Sequence, residues 1–225
     1  MNKVMVSFSG GKDSMLALHR LDHDPKYKIE YLLITMSGEY ERSSIHGIRD
    51  ELVDLQAKAL GFPIKKVYLP KNCTNEQYEK AMNDVMFEAE RDGITHVAFG
   101  DINLKDIREY RENNLAKGAI QPIFPVWGES TQSLMNEFLK LGYQTIITTI
   151  DPKKVPNEFL GQVINQSLIN QLPNDVDPCG ENGEFHTFVI DGPLFKVPIP
   201  VKVNDRQVEQ SFYTYQDLTV NNFGS

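Results

Sequence analysis

The chain reads as an α/β protein built on a parallel, doubly wound sheet, with a smaller C-terminal α+β region after it. Three observations predict this. Strand-like and helix-like segments alternate four times within residues 3–117. The first strand-like run ends on a Gly-Gly pair that opens straight into a helix. Beyond a proline-punctuated stretch at 121–125 the texture shifts toward turns and short strands.

Taken in order, residues 3–8 form a short apolar run with the look of a buried parallel strand. Residues 13–21 place Met15, Leu16, Leu18 and Leu21 at helical spacing, with Asp13 and Ser14 as a capping signal. A strand at 29–36 is followed by a polar loop, 37–45, and a helix at 46–60 with Ile48, Leu52, Leu55 and Leu60 as its stripe and Gly61 as its stop. A strand at 64–69 leads to a helix at 74–92, on which Tyr78, Met82, Val85, Met86 and Ala89 recur. A strand at 94–99 then runs into Gly100-Asp101 and a helical segment at 103–117. Past the prolines come a helix at 130–141, a strand at 143–150, a helix at 157–171, an irregular segment, and strand-like alternation at 187–190 and 210–215. This divides the chain into 1–125 and 126–225, and ligands of such a parallel sheet bind at the carboxyl ends of its strands.

Composition narrows the partners. The net charge of −8, with basic residues scattered, argues against an extended nucleic-acid surface. No apolar run approaches the ~18 residues of a membrane span, and Met1-Asn2-Lys3 enters a strand with no signal-like region. Two distant cysteines, Cys73 and Cys179, form neither a disulfide framework nor a Cys-x-x-Cys pair, which suits a cytoplasmic location. The strand-like tail offers an edge for association into a homodimer.

The sharpest signal is Ser9-Gly10-Gly11-Lys12-Asp13-Ser14 between strand and helix. Two glycines let backbone N–H groups approach an anion with no Cβ in the way. The following helix points its positive end at the same place, Lys12 adds a charge, and Ser9 and Ser14 add hydroxyls. The spacing does not fit the kinase-type Gly-x-x-x-x-Gly-Lys loop. These residues read as a grip for the pyrophosphate part of ATP.

Further candidates cluster around it. Gly100 and Asp101 end a strand expected to run parallel to the first, so they share the phosphate loop's edge; Asp101 is a candidate Mg2+ ligand, or a helix N-cap. Arg108 can meet phosphate charge, with a solvated ion pair as the alternative. Residues 179–187 pack Glu181, Glu184, His186 and two glycines together. The carboxylates are candidates to bind ammonium or take its proton, and His186 has an ordinary pKa suited to proton transfer. Cys179 reads as a buried structural thiol and Trp127 as core. His46 follows the second strand's loop, where adenine or acceptor would sit, or else starts a helix.

The Ser-Gly-Gly-x-Asp-Ser signature resembles that of the PP-loop ATP pyrophosphatases, whose adenine nucleotide α-hydrolase-like fold is implied here. Phe99-Gly100-Asp101-Ile102, Asp106-Ile107-Arg108, Pro125-Val126-Trp127-Gly128, the 180–187 segment and Asp191-Gly192-Pro193-Leu194-Phe195 extend the likeness to the diphthine–ammonia ligase family over about 3–200. The resemblance implies Mg2+-dependent use of ATP to adenylate a carboxylate, with AMP and pyrophosphate released. Ammonium then forms the amide, the family's acceptor being diphthine on elongation factor 2. Diphthamide-linked members read Glu-Gly-Gly-Glu-x-Glu-Thr where this chain has Asn182 and His186. It is similar there to a branch reading Glu-Asn-Gly-Glu-Phe-His-Thr, for which a cobalamin-pathway carboxylate is the alternative acceptor. Sulfur transfer to tRNA would call for paired cysteines and a basic surface; an ATP-binding module without catalysis is the remaining reading.

Overall fold

The structure is a computed structural model that describes residues 1–38, 42–43 and 46–221. Of the expected polar loop 37–45, residues 39–41 and 44–45 therefore lie outside the described residues.

The first sheet is formed by β1 (Asn2–Ser7), β2 (Tyr27–Ser37), β3 (Arg42–Ser43), β4 (Ile64–Leu69), β5 (His96–Ala98) and β6 (Gln121–Ile123). β1 is central, parallel to β2 on one side and to β5 on the other, and β6 and β4 extend the parallel array outward. Only β3 runs antiparallel among the described residues, pairing Met36 with Ser43. The chain steps outward from β1 through β2 to β4, then returns to β1's other flank with β5. The order therefore reverses between β1 and β5, and a crevice opens there at the carboxyl ends of the strands.

Alternation along β1 explains the layers. Met5 joins Val85 and Ala89 of α3 (Asn75–Arg91) and Leu115 of α4 (Lys105–Leu115) on one face. Val4 and Val6 face Met15 and Leu18 of α1 (Lys12–Asp22) and Leu60 of α2 (Asp50–Leu60) on the other. This is the period of two expected of a strand buried on both faces.

The second sheet has the order β8-β7-β10-β9 and is antiparallel throughout: β7 (Gln144–Ile150), β8 (Phe185–Asp191), β9 (Val201–Gln210) and β10 (Tyr213–Val220). It packs on the outer side of α1 and α2. Leu16 and Ala17 of α1 join Ile147, Ile150 and Phe185, with Leu134 and Met135 of α5 (Thr131–Lys140). Leu52 and Val53 of α2 join Ile146, Phe188 and Leu218. Helix α1 is thus apolar on two sides because it is sandwiched between two sheets, and each such buried Leu or Met contributes roughly 1.5–3 kcal/mol.

Several expected elements differ. The helix at 157–171 is only a 3-10 turn, Asn157–Phe159, and one turn of α6 (Gln166–Ile169). Between them Gly161 takes φ +81, where a Cβ would lie 3.0 Å from Val203 Cγ1. The stretch from 161 to 164 instead bonds along β7, through Gly161 N to Ile147 O (2.8 Å) and Ile164 N to Thr145 O (2.9 Å). β10 reaches β7 only at Thr149 and Ile150, so the backbone at 145–147 on that side needed another partner, and that demand outweighed helical spacing. The strand-like run at 210–215 contains the tight turn between β9 and β10, with Ser211 at φ +58. β6 went unread because Pro122 looks like punctuation, yet proline is tolerated on an edge strand. Helix α2 begins at Asp50, not at 46, because residues 46–49 fold back on β3 through Ser43 N to Ile48 O (2.8 Å).

Candidate active site

The phosphate loop leaves β1 at the crevice and enters α1. Its helix cap is Gly11, not Asp13 or Ser14. Ser14 serves the loop instead: its Oγ donates to Gly11 O (3.0 Å), accepts from Ser9 N (3.2 Å) and meets Ser9 Oγ (3.0 Å). Gly10 adopts φ +82, and a Cβ there would lie 2.7 Å from Gln56 Oε1. Gly100, at the end of β5, carries the tightest backbone approach in the loop. A Cβ on it would sit 2.8 Å from Ser14 N and 2.9 Å from Asp13 C. These contacts mean that the β5 end and the start of α1 must touch backbone to backbone.

Strand β8 from the second sheet closes the loop's other side. Lys12 N donates to Thr187 Oγ1 (3.1 Å), and Val189 N to Gly10 O (2.9 Å). Gln56, buried on α2, donates from Nε2 to both Gly10 O (3.0 Å) and Val189 O (2.6 Å). His46 Nδ1 lies 2.7 Å from Thr187 O. The two sheets therefore meet through hydrogen bonds at the phosphate loop itself.

Lys12 is only 4 % exposed, with Nζ 2.9 Å from Asp13 Oδ2 and 5.4 Å from the Phe185 ring centroid. Burial pulls its pKa down, but Asp13 and the surrounding acids outweigh that and hold it above the ordinary value, so it stays charged. Burial raises Asp13 more than Lys12 lowers it, with Asp177 and Asp101 adding to the rise. The site holds more carboxylate than its one buried ammonium neutralises.

Two adjoining cavities open on this loop. One, of about 520 Å³, has Lys12, Asp13, His46, Glu181, His186 and Thr187 in its wall. The other, of about 260 Å³, lies over the crevice, with Met82, Met86 and Phe99 among its apolar residues and Ser14, Gly100 and Asp101 among its polar ones. Ser9, Asp13, His46, Leu104 and Glu181 belong to both. The expected loop residues Ser9, Lys12, Asp13 and Ser14 thus come together with Gly100, Asp101, Glu181 and His186.

Others are placed elsewhere. Glu184 lies in neither cavity wall. It is 2 % exposed and staples its own loop, accepting from Asn182 N (2.9 Å), Asn182 Nδ2 (3.2 Å) and Asp177 N (3.3 Å). Arg108 also stays out of both walls, bonded to Glu112 Oε1 (2.7 Å) and stacked over Phe124 and Trp127. Its (i, i+4) acid partner and the aromatic faces compete successfully for the guanidinium. Asp101 reaches the crevice with both oxygens engaged by Arg111, Oδ1 at 3.2 Å; the cap of α4 is Leu104. Cys179 is buried, with Sγ 3.2 Å from Thr131 O, and burial pushes its thiol pKa well up.

Glu181 anchors one oxygen on Ile102 N (3.2 Å) and Asn103 N (2.9 Å), and burial raises its pKa against those bonds. His186 differs from the expectation of an ordinary imidazole: burial, then His46 and Lys12, push it down to about 3. Among the described residues no group of three or more His, Cys, Asp or Glu is arranged to hold a metal ion, and no helix is long and apolar enough to cross a membrane. Thr187 was legible only as the end of the 180–187 motif, with no role of its own, and Gln56 was not read at all. Gln56 stands out only as a polar residue among the apolar positions of α2.

Comparison with known proteins matches the sequence to a family. The diphthamide synthase N-terminal domain model covers residues 2–116, and the C-terminal domain model covers 130–219. A diphthine–ammonia ligase from Rattus norvegicus is 24% identical over 233 residues, spanning 93% of this chain and 86% of its own. That from Homo sapiens is 25% identical over 183 residues, spanning 73% and 67%. Among solved structures, a U34-tRNA thiolase from Methanococcus maripaludis with its [4Fe-4S] cluster aligns at TM-score 0.40 and 21% identity, over 64% of this chain and 59% of that one. With one domain model over the phosphate-loop half and the other over the half that closes it, the chain belongs to the diphthamide synthase family, the diphthine–ammonia ligases among the PP-loop ATP pyrophosphatases.

Proposed function

We propose that the chain is an AMP-forming carboxylate–ammonia ligase, with a nucleotide half up to about residue 125 and an acceptor half beyond it. The observation that carries this is the shared cavity wall: Lys12 and Asp13 of the phosphate loop face Glu181 and His186 of the other half. ATP would lay its pyrophosphate on the Gly10–Gly11 backbone and Lys12. Its adenosine would occupy the smaller cavity, against Met82, Met86 and Phe99. The α-phosphorus would then stand at the junction of the two cavities. An acceptor carboxylate oxygen attacks it there, the bond to the β-phosphate bridging oxygen breaks, and pyrophosphate leaves on the charge of Lys12.

Mg2+ accompanying the nucleotide would be met by Asp13, whose Oδ1 is not engaged by Lys12, rather than by Asp101, which Arg111 holds. Mg2+ needs one or two carboxylates together with phosphate oxygens, and the surplus of acid around Lys12 fits a cation. Bound there, it would neutralise charge on the leaving pyrophosphate. In the second step ammonium gives a proton to Glu181, whose raised pKa suits a base. Ammonia attacks the acyl carbonyl, the adduct gives its second proton to water, and the carbon–oxygen bond to AMP breaks to leave the amide.

The family's acceptor is the first candidate here: the carboxylate of diphthine on elongation factor 2. His186 favours a second reading, a different carboxylate, because an uncharged ring stands where diphthamide-linked members carry a Glu. The test incubates the protein with ATP, Mg2+, ammonium chloride and diphthine-bearing elongation factor 2, and measures nucleotide products. AMP, pyrophosphate and an amidated acceptor are expected. AMP with other carboxylates but not with diphthine would support the second reading, and ADP would sink the scheme.

A further inference from the structure

The mechanism above leaves two histidines of the larger cavity without a task. His46 sits in the short return between β3 and α2, its ring within reach of Gly11: a Cβ on that glycine would lie 2.7 Å from His46 Cε1. Its Nδ1 is 2.7 Å from Thr187 O. A backbone carbonyl can only accept, so Nδ1 must donate; in the neutral ring the proton is fixed there and Nε2 keeps a lone pair. His186 lies beside it, ring centroids 5.0 Å apart, with Tyr213 edge-on at 5.5 Å on its other side. Its Nε2 is buried and, among the described residues, has no hydrogen-bond partner. A buried polar atom without a partner is costly and calls for an explanation.

We infer that His46 and His186 together form the seat of the nitrogen nucleophile, two imidazoles on one wall of the cavity that accept hydrogen bonds from the N–H groups of ammonia.

The chemistry of the wall selects that ligand. His46 Nε2 can only accept, as can His186 Nε2 in its Nδ1–H tautomer, so neither the acceptor's carboxylate nor the nucleotide's phosphate is served by these atoms. A small N–H donor is. Burial keeps both rings neutral, His46 pushed down to about 4 despite the Thr187 bond. Glu181 lines the same wall and takes the proton of an arriving ammonium, so that ammonia is what the rings hold. His46 belongs to both cavities, so ammonia held there waits beside the junction where the acyl-adenylate forms.

This inference rests on the ligase reading, and its test is separate from that reading's. Protein labelled with 15N-histidine is titrated with ammonium chloride at constant pH, with sodium chloride and tetramethylammonium chloride as controls, and the imidazole nitrogens are followed by NMR. His19, His23 and His96 are internal references. The expected result is a saturable shift of the His46 and His186 nitrogens with ammonium chloride alone, with His46 retaining the Nδ1–H tautomer. ATP binding is measured on the same sample. Intact ATP binding with no saturable response of these two rings, or an equal response to sodium chloride, overturns the inference and leaves the ligase reading standing. Failure of AMP formation with the saturable shift intact would overturn the ligase reading, and with it the nucleophile role, while leaving the ammonia site itself.

Discussion

Lys12 and Gly100 do different work within a few ångströms of each other, and their substitution separates chemistry from architecture. Lys12→Met keeps the aliphatic stem against Phe185 but removes the charge that receives the leaving pyrophosphate. Loss of one such electrostatic contact costs about 10²–10³ in rate, so AMP formation should fall by that much while the fold, read by circular dichroism, is retained. A Lys12→Met protein that turns over normally would refute the assigned role. Gly100→Ala should act through packing instead. Its Cβ would press on the backbone of Asp13 and Ser14, which has no side chain to swing aside. Overpacking of this kind costs about 1–3 kcal/mol, and the displaced helix start should also weaken ATP binding; unchanged chemical denaturation would contradict it. At this scale the sequence was informative where backbone chemistry dictates residue type: the Gly-Gly loop with its lysine could be read directly. It was silent on orientation. Whether Glu184 turned into the cavity or back on Asn182 depended on a loop geometry that no spacing encodes. Arg108 turned to Glu112, Phe124 and Trp127 instead of the crevice, while Arg111, one turn on, found Asp101.

Among the elements, α1 is the one on which both halves lean, and Arg20 fastens it. From the last turn of that helix Arg20 donates to Glu137 on α5, to Glu129 before α5, and to Pro125 O (2.9 Å). One guanidinium thus closes the link between the two sheets' segments. Bidentate, charge-assisted bonds are stronger than ordinary surface pairs, but the group is a quarter exposed. We expect Arg20→Met to cost about 1–2 kcal/mol, read as a lower melting temperature, with ATP affinity unchanged because Arg20 lines neither cavity. An unchanged melt would show the clamp to be dispensable. The elements that packing face-to-face defines, such as α1 and α3, are written in helical periodicity. Those that answer an edge are not: the extended run at 161–164 exists because β7 had unpaired backbone groups, a demand invisible in the local sequence.

For the whole molecule, the seam between the two sheets carries a pH dependence whose sign follows from its buried histidines. His46 is held near 4 and His186 near 3, against an ordinary 6.5, chiefly because burial disfavours the charged ring; burial lowers His19 and His96 as well. Once unfolded, these rings take up protons below the ordinary value; folded, they resist. The unfolded state therefore binds more protons as pH falls, and stability is complete above the ordinary pKa and declines from there down through the folded values. For His46 and His186 the loss amounts to about 2 kcal/mol each near pH 5. A second, separate loss comes from Asp217, on β10. Burial opposes its ionisation, yet Arg49 and Arg42 hold its pKa down to about 2, so its contribution is present above the ordinary 3.8 and is lost from there toward 2. Urea denaturation from neutral pH downward should thus show stability falling in two stages. Replacing His186 with Gln should reduce the upper stage by about 2 kcal/mol, leaving the His46 share and the lower stage intact, whereas Asp217→Asn should remove the lower stage and leave the upper. Stability that holds level between neutrality and pH 5 would mean that the seam admits protons freely, and that the two rings are not the dry, uncharged wall on which an ammonia seat depends.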